Sequence, residues 1–80
     1  MCAYVLSDLT PGQRGKVAGV AGAGALARRL WDLGFLPGTP VACTARAPAG
    51  DPAAYLIRGA VIALRDRDAA QVALEGAPWS

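Results

Sequence analysis

Apolar positions in this chain come in short runs separated by proline–glycine pairs, and the spacing within each run predicts an element. Val5, Leu6 and Leu9 precede Thr10-Pro11-Gly12-Gln13. Proline presets φ at the second position of a turn and glycine supplies positive φ at the third, which predicts a type II turn. Residues 15–20 then read as a strand, with Gly19 marking a bulge or a close backbone approach. Residues 25–33 predict the one sizeable helix. Leu26, Leu30 and Leu33 fall at i, i+4 and i+7 and form an inward stripe. Arg28 and Asp32 fall on the opposite side, four residues apart, and Trp31 lies about 100° from Leu30. Gly34 is placed for a left-handed C-terminal cap. Leu36-Pro37-Gly38-Thr39 repeats the earlier turn and leads into a strand over 41–45, with Val41, Cys43 and Ala45 inward and Ala42, Thr44 and Arg46 outward. Residues 47–52 read as a loop. Residues 54–58 and 61–65 predict a hairpin joined at Gly59-Ala60 by a type II′ turn. Residues 66–70 predict one helical turn with Asp66 as N-cap. Residues 71–75 predict a last strand, and 76–80 a loose tail.

The expected fold class is therefore mainly β, a small barrel of about five strands with one short inserted helix. So few residues cannot cover two sheets, and curling one sheet leaves less edge exposed. The 80 residues make a single domain, 1–80, with its core over about 5–75. A chain this short buries only about 60–65% of the surface it exposes unfolded. Apolar residues make up 54% of the chain, but 18 of them are alanine, so the large side chains available to fill a core are few. Ten glycines and six prolines favour tight turns and short strands over long helices.

Charge and cysteine content narrow the function. Eight basic and six acidic residues give a net charge of +2, scattered without a basic block, which argues against a dedicated nucleic-acid binder. The longest uncharged stretches, 17–27 and 33–45, fall short of the ~20 apolar residues that cross a bilayer. The N-terminus lacks the basic flank and apolar region of a signal peptide. The expected location is the cytoplasm, with recruitment to the inner face of a membrane only through another protein. Cys2 and Cys43 are read as reduced thiols, Cys43 as a small core residue.

Three ordered blocks carry a resemblance. Arg28-Arg29-Leu30-Trp31-Asp32-Leu33-Gly34-Phe35-Leu36-Pro37-Gly38-Thr39 resembles the signature of the FeoA family. So do the upstream Leu9-Thr10-Pro11-Gly12-Gln13-Arg14-Gly15-Lys16-Val17 and the downstream Ala47-Pro48-Ala49-Gly50-Asp51-Pro52, Ile57-Arg58-Gly59 and Ile62-Ala63-Leu64-Arg65. The resemblance spans about residues 5 to 75. It implies an SH3-like barrel and a cytosolic accessory to a Feo-type ferrous iron permease, which carries a cytosolic GTP-binding domain. The same barrel ends iron-dependent repressors. With no DNA-binding helix pair ahead of it, this chain is not expected to be one.

Little here points to chemistry. There is no histidine, so ferrous iron, which favours histidine and carboxylate ligands, has no evident site. Asp66 and Asp68 lie two apart but suit helix capping better. The glycine-rich segment 19–24 lacks the Gly-Lys-Ser/Thr ending of a phosphate loop. The expectation is no catalytic residue, no cofactor and no intrinsic metal site, although a transition-metal label can attach to the family as a whole. What remains is partner contact through Arg28, Trp31 and Asp32, since tryptophan and arginine are enriched at binding hot spots. The rival reading is an RNA-binding barrel of the KOW type, which Gly12-Gln13-Arg14-Gly15-Lys16-Val17 also resembles. Exposed edge strands leave self-association open.

Overall fold

The computed structural model describes residues 4–22 and 24–79. A single 3-10 turn, Leu6–Asp8, is followed by β1 (Arg14–Val20), α1 (Ala25–Leu33), β2 (Pro40–Arg46), β3 (Ala53–Ile57), β4 (Ala60–Leu64), α2 (Asp66–Ala69) and β5 (Val72–Leu74). The strands form one antiparallel sheet in the order β4-β3-β2-β1-β5. The fold is thus mainly β with one short inserted helix, as expected. Its core joins Leu6 and Leu9 ahead of β1, Val17 of β1, Leu30 of α1, Phe35, and the inward side chains of β2, β3 and β5.

Both proline–glycine turns form as read. Gln13 N–H donates to Thr10 O at 2.9 Å with Gly12 at φ 94°, and Thr39 N–H donates to Leu36 O at 3.1 Å with Gly38 at φ 86°. The second delivers the chain back beside β1, where Gly38 N–H donates to Val17 O at 2.7 Å. The β1–β5 register slips between Val17 and Gly19, the irregularity that Gly19 signalled. Helix α1 has the expected bounds and ends on Gly34 at φ 111°.

Several details depart from the sequence reading. The buried seam of α1 is Ala27 and Leu30, with Leu33 half-buried, while Leu26 is exposed. The left-handed cap turns Phe35 back under the helix, its N–H donating to Leu30 O at 3.1 Å. Phe35 is fully buried and supplies bulk that the leucine stripe was expected to give. In β2 the pairing with β3 slips between Cys43 and Ala45, so Thr44 is the extra residue of a bulge. Alternation resets there: Ala45 is exposed and Arg46 is drawn inward.

The hairpin turn lies one residue earlier than expected. Ile57 pairs with Ala60, and Arg58 and Gly59, both at positive φ (52° and 82°), form the two-residue connection. That is the type I′ pattern, whose twist matches the flanking strands, rather than type II′. Asp66 is not the N-cap of α2. Its own N–H is capped from the loop before β3 by Asp51 Oδ1 at 3.0 Å, and its carboxylate accepts from Arg46 Nη1 at 3.0 Å. The expected loose tail is tied down at Trp79, which exchanges backbone hydrogen bonds with Arg14 (2.6 and 2.9 Å). Cys43 is buried as read, and Cys2 lies outside the described residues.

Candidate partner-binding surfaces

The exposed large apolar side chains fall into two groups, Leu26, Trp31 and Leu36 on and after α1, and Leu56, Val61 and Trp79 on the sheet. On the helix, Arg28, Trp31 and Asp32 all face outward, Trp31 with 44% of its surface accessible. They are exposed because Ala27 and Leu30 turn the opposite face onto the core. Trp31 stands one turn beyond Ala27, at the edge of that seam. Arg28 and Asp32 share the face without pairing: among the described residues the ion pairs are Arg46–Asp66 and Arg65–Asp51. The arrangement leaves an indole beside two charges of opposite sign that do not pair with each other.

The sheet surface was not anticipated. Cross-strand register places Trp79 beside Arg14, Arg14 beside Ala42, Ala42 beside Leu56 and Leu56 beside Val61. These five side chains form one row across the outer face, because Gly15, Val41, Tyr55 and Ile57 take the inner face. Ala42, the small residue in the middle, leaves an open groove of about 500 Å³ walled by Arg14, Leu56, Arg58 and Trp79. Arg58 is steadied at its rim. Its Cδ lies 2.8 Å from where a Cβ would stand on Gly34, so its stem rests on the cap of α1. The signal available in the sequence was Leu56, a large apolar residue between the inward Tyr55 and Ile57. Arg14 and Trp79 gave none without the pairing.

Among the described residues no three of His, Cys, Asp and Glu gather as metal ligands would. The Cys43 thiol is pushed up by burial, an effect the nearby Arg46 charge offsets only in part, so it stays protonated and unreactive. Tyr55 is likewise pushed up, to about 12, chiefly by burial, with the Arg46 charge opposing. Its hydroxyl is buried without a hydrogen-bond partner.

Comparison with known proteins places this frame. A model of the FeoA domain matches residues 4–76. The chain belongs to the FeoA family. The FeoA of Stenotrophomonas maltophilia, solved in complex with zinc and described as a procaryotic SH3 domain protein, superposes with a TM-score of 0.82 at 34% identity, covering 91% of each chain. Iron(II) transport protein A from Clostridium thermocellum gives a TM-score of 0.84 at 33% identity over 90% of this chain and 44% of that one. A curated relative from Porphyromonas gingivalis, an Fe(2+) transport protein A/Fe(2+) transporter FeoB fusion protein, is 33% identical over 70 residues. That match takes in 88% of this FeoA chain but only 8% of the relative's length. The SH3-like barrel implied by the three sequence blocks is therefore the fold of this FeoA domain.

Proposed function

We propose that this FeoA-family chain is an accessory protein of Feo-type ferrous iron uptake that acts by binding the Feo permease, not by catalysis. The observation that carries this reading is the fusion in the Porphyromonas gingivalis relative, where a matching segment shares one chain with an FeoB transporter. Joining two modules raises their effective mutual concentration, which serves function when they act in contact. Among the described residues no helix is long and apolar enough to cross a membrane, so in this reading the permease recruits the chain from the cytoplasm. The proposed contact face is Arg28, Trp31 and Asp32 on α1. Its half-exposed indole can be buried by a partner, with the flanking charges fixing register.

Calorimetry against the cytosolic GTP-binding domain of the cognate permease, with and without a GTP analogue, tests the reading. Saturable binding is expected, weakened at least tenfold by Trp31→Ala while the unfolding transition stays in place. Absence of binding both to that domain and to the intact permease in detergent overturns it. Binding that Trp31→Ala leaves unchanged removes the helix face from the proposal.

A further inference from the structure

The groove on the outer face of the sheet goes beyond the accessory reading, whose proposed contact face lies on α1. We infer that this groove seats an extended acidic segment of a protein partner, one that carries a large apolar side chain between carboxylates. Charge is the first argument. Arg14 and Arg58 stand on opposite sides of β2, and among the described residues no carboxylate lines the space between them. Among the described residues neither arginine is in an ion pair. Four of the six acidic residues, Asp8, Asp51, Asp66 and Asp68, belong to the 3-10 turn, the loop before β3, and α2, away from the groove's lining. Two free guanidinium groups can each take a carboxylate bidentately.

Geometry fixes what lies between the charges. Arg14 and Leu56 flank Ala42 on β1 and β3, and Arg58 follows Leu56 by two residues. With strands about 4.8 Å apart and ~3.3 Å per residue along them, the two arginine backbones are separated by roughly 10 Å across β2 and ~7 Å along it. An extended chain spans that distance with carboxylates two to four residues apart. The notch over Ala42, walled by Leu56 and Trp79, takes an apolar side chain between them. The stem of Arg58 is held in advance on Gly34, and the paired backbone bonds between Arg14 and Trp79 fix the main chain that carries Arg14, which lowers the ordering cost of binding. A nucleic acid fits less well. Base stacking uses successive aromatic platforms, and among the described lining residues Trp79 is the one aromatic side chain.

The test is selection of binders to the full chain from a random peptide display library, followed by synthesis of the enriched peptides. Enriched sequences are expected to carry Asp or Glu on both sides of a Leu, Ile or Phe. In a Trp31→Phe background, their binding shifts the Trp79 emission. Arg14→Glu, Arg58→Glu and Leu56→Asp each reduce affinity at least tenfold in variants whose NMR spectra remain dispersed, and Arg67→Glu, a charge change away from the groove, does not. No enrichment, enrichment without acidic residues, or equal binding to the groove variants overturns the inference. So does displacement of the peptides by an oligouridylate at physiological salt, which would mark the groove as a nucleic-acid site. None of these outcomes involves the permease, so the accessory reading stands or falls separately.

Discussion

At the scale of single residues, Arg46 holds together the part of the molecule with the least regular structure. Its Nη2 donates to Ser7 O and Leu9 O (2.8 and 2.7 Å), and its Nη1 donates to Gly50 O and Asp66 Oδ1 (2.9 and 3.0 Å). One planar group thus joins the 3-10 turn, the loop before β3, and α2. A lysine carries the same charge but cannot reach four acceptors in a fixed plane. Arg46→Lys should lower stability by about 2 kcal/mol in urea unfolding, since hydrogen bonds to charged groups contribute about 1.5–3 kcal/mol each and only some are lost. Tyr55 poses the opposite case, a buried hydroxyl with no partner. Tyr55→Phe should be neutral or stabilising by up to about 1 kcal/mol at pH 7. Above pH 10 the two proteins diverge. The unfolded tyrosine loses its proton near 10.0, whereas the folded one holds it to about 12. The folded state then binds more protons, so wild-type stability is intact below the first value and falls as pH rises through the second. Unfolding curves from pH 9 to 12 should show the wild type losing this increment and the phenylalanine variant lacking it.

At the scale of elements, the helix was legible to its last residue because glycine ends it for a local reason that the sequence displays. Gly34 at φ 111° also lies beneath Arg58, whereas Gly38 at φ 86° has open space around it. Both positions resist a side chain through left-handed strain of about 1–2 kcal/mol. Only Gly34→Ala also meets a side-chain stem, so it should destabilise more than Gly38→Ala in parallel urea titrations and move the Arg58 side-chain resonances. Equal losses would mean that Arg58 swings away freely. Elements set by their neighbours were less legible. The bulge at Thr44 reverses Ala45 and Arg46, yet alternation in the sequence runs straight through it. The turn at Arg58-Gly59 depended on where β3 stops pairing, which Gly59-Ala60 does not announce. In α1, periodicity favoured Leu26 over Ala27 because apolar size was the only cue, whereas the structure buries Ala27 and Leu30 and adds Phe35 beyond the cap to the core. The exposure of Arg28, Trp31 and Asp32 was readable from one helix. The groove joins residues 14, 42, 56, 58 and 79, and only the register of four strand segments brings them together.

At the scale of the whole molecule, the described ends of the chain are laced onto the same part of the sheet. Leu74 N–H donates to Tyr4 O at 2.9 Å and Val5 pairs with Ala73, so the first described residues cover the outer edge of β5. Past β5 the chain returns along β1, where Trp79 and Arg14 exchange their two backbone bonds. These contacts differ in what they protect. The first segment leads into Leu6 and Leu9, both fully buried, so it belongs to the core. The last segment buries little, since Trp79 keeps 46% of its surface accessible. Deleting residues 77–80 should therefore leave the fold intact. It should lower stability by about 1–2 kcal/mol, the net value of two exposed backbone hydrogen bonds. Hydrogen exchange locates the effect: the Arg14 amide should lose protection, whereas Val17 and Val41, within the core strands, should keep theirs. The same deletion removes one wall of the groove, so the acidic peptides should bind it more weakly while the helix face is untouched. A truncated chain that unfolds, or that exchanges uniformly faster, would show that the C-terminal return is part of the cooperative core and not a lace across its surface.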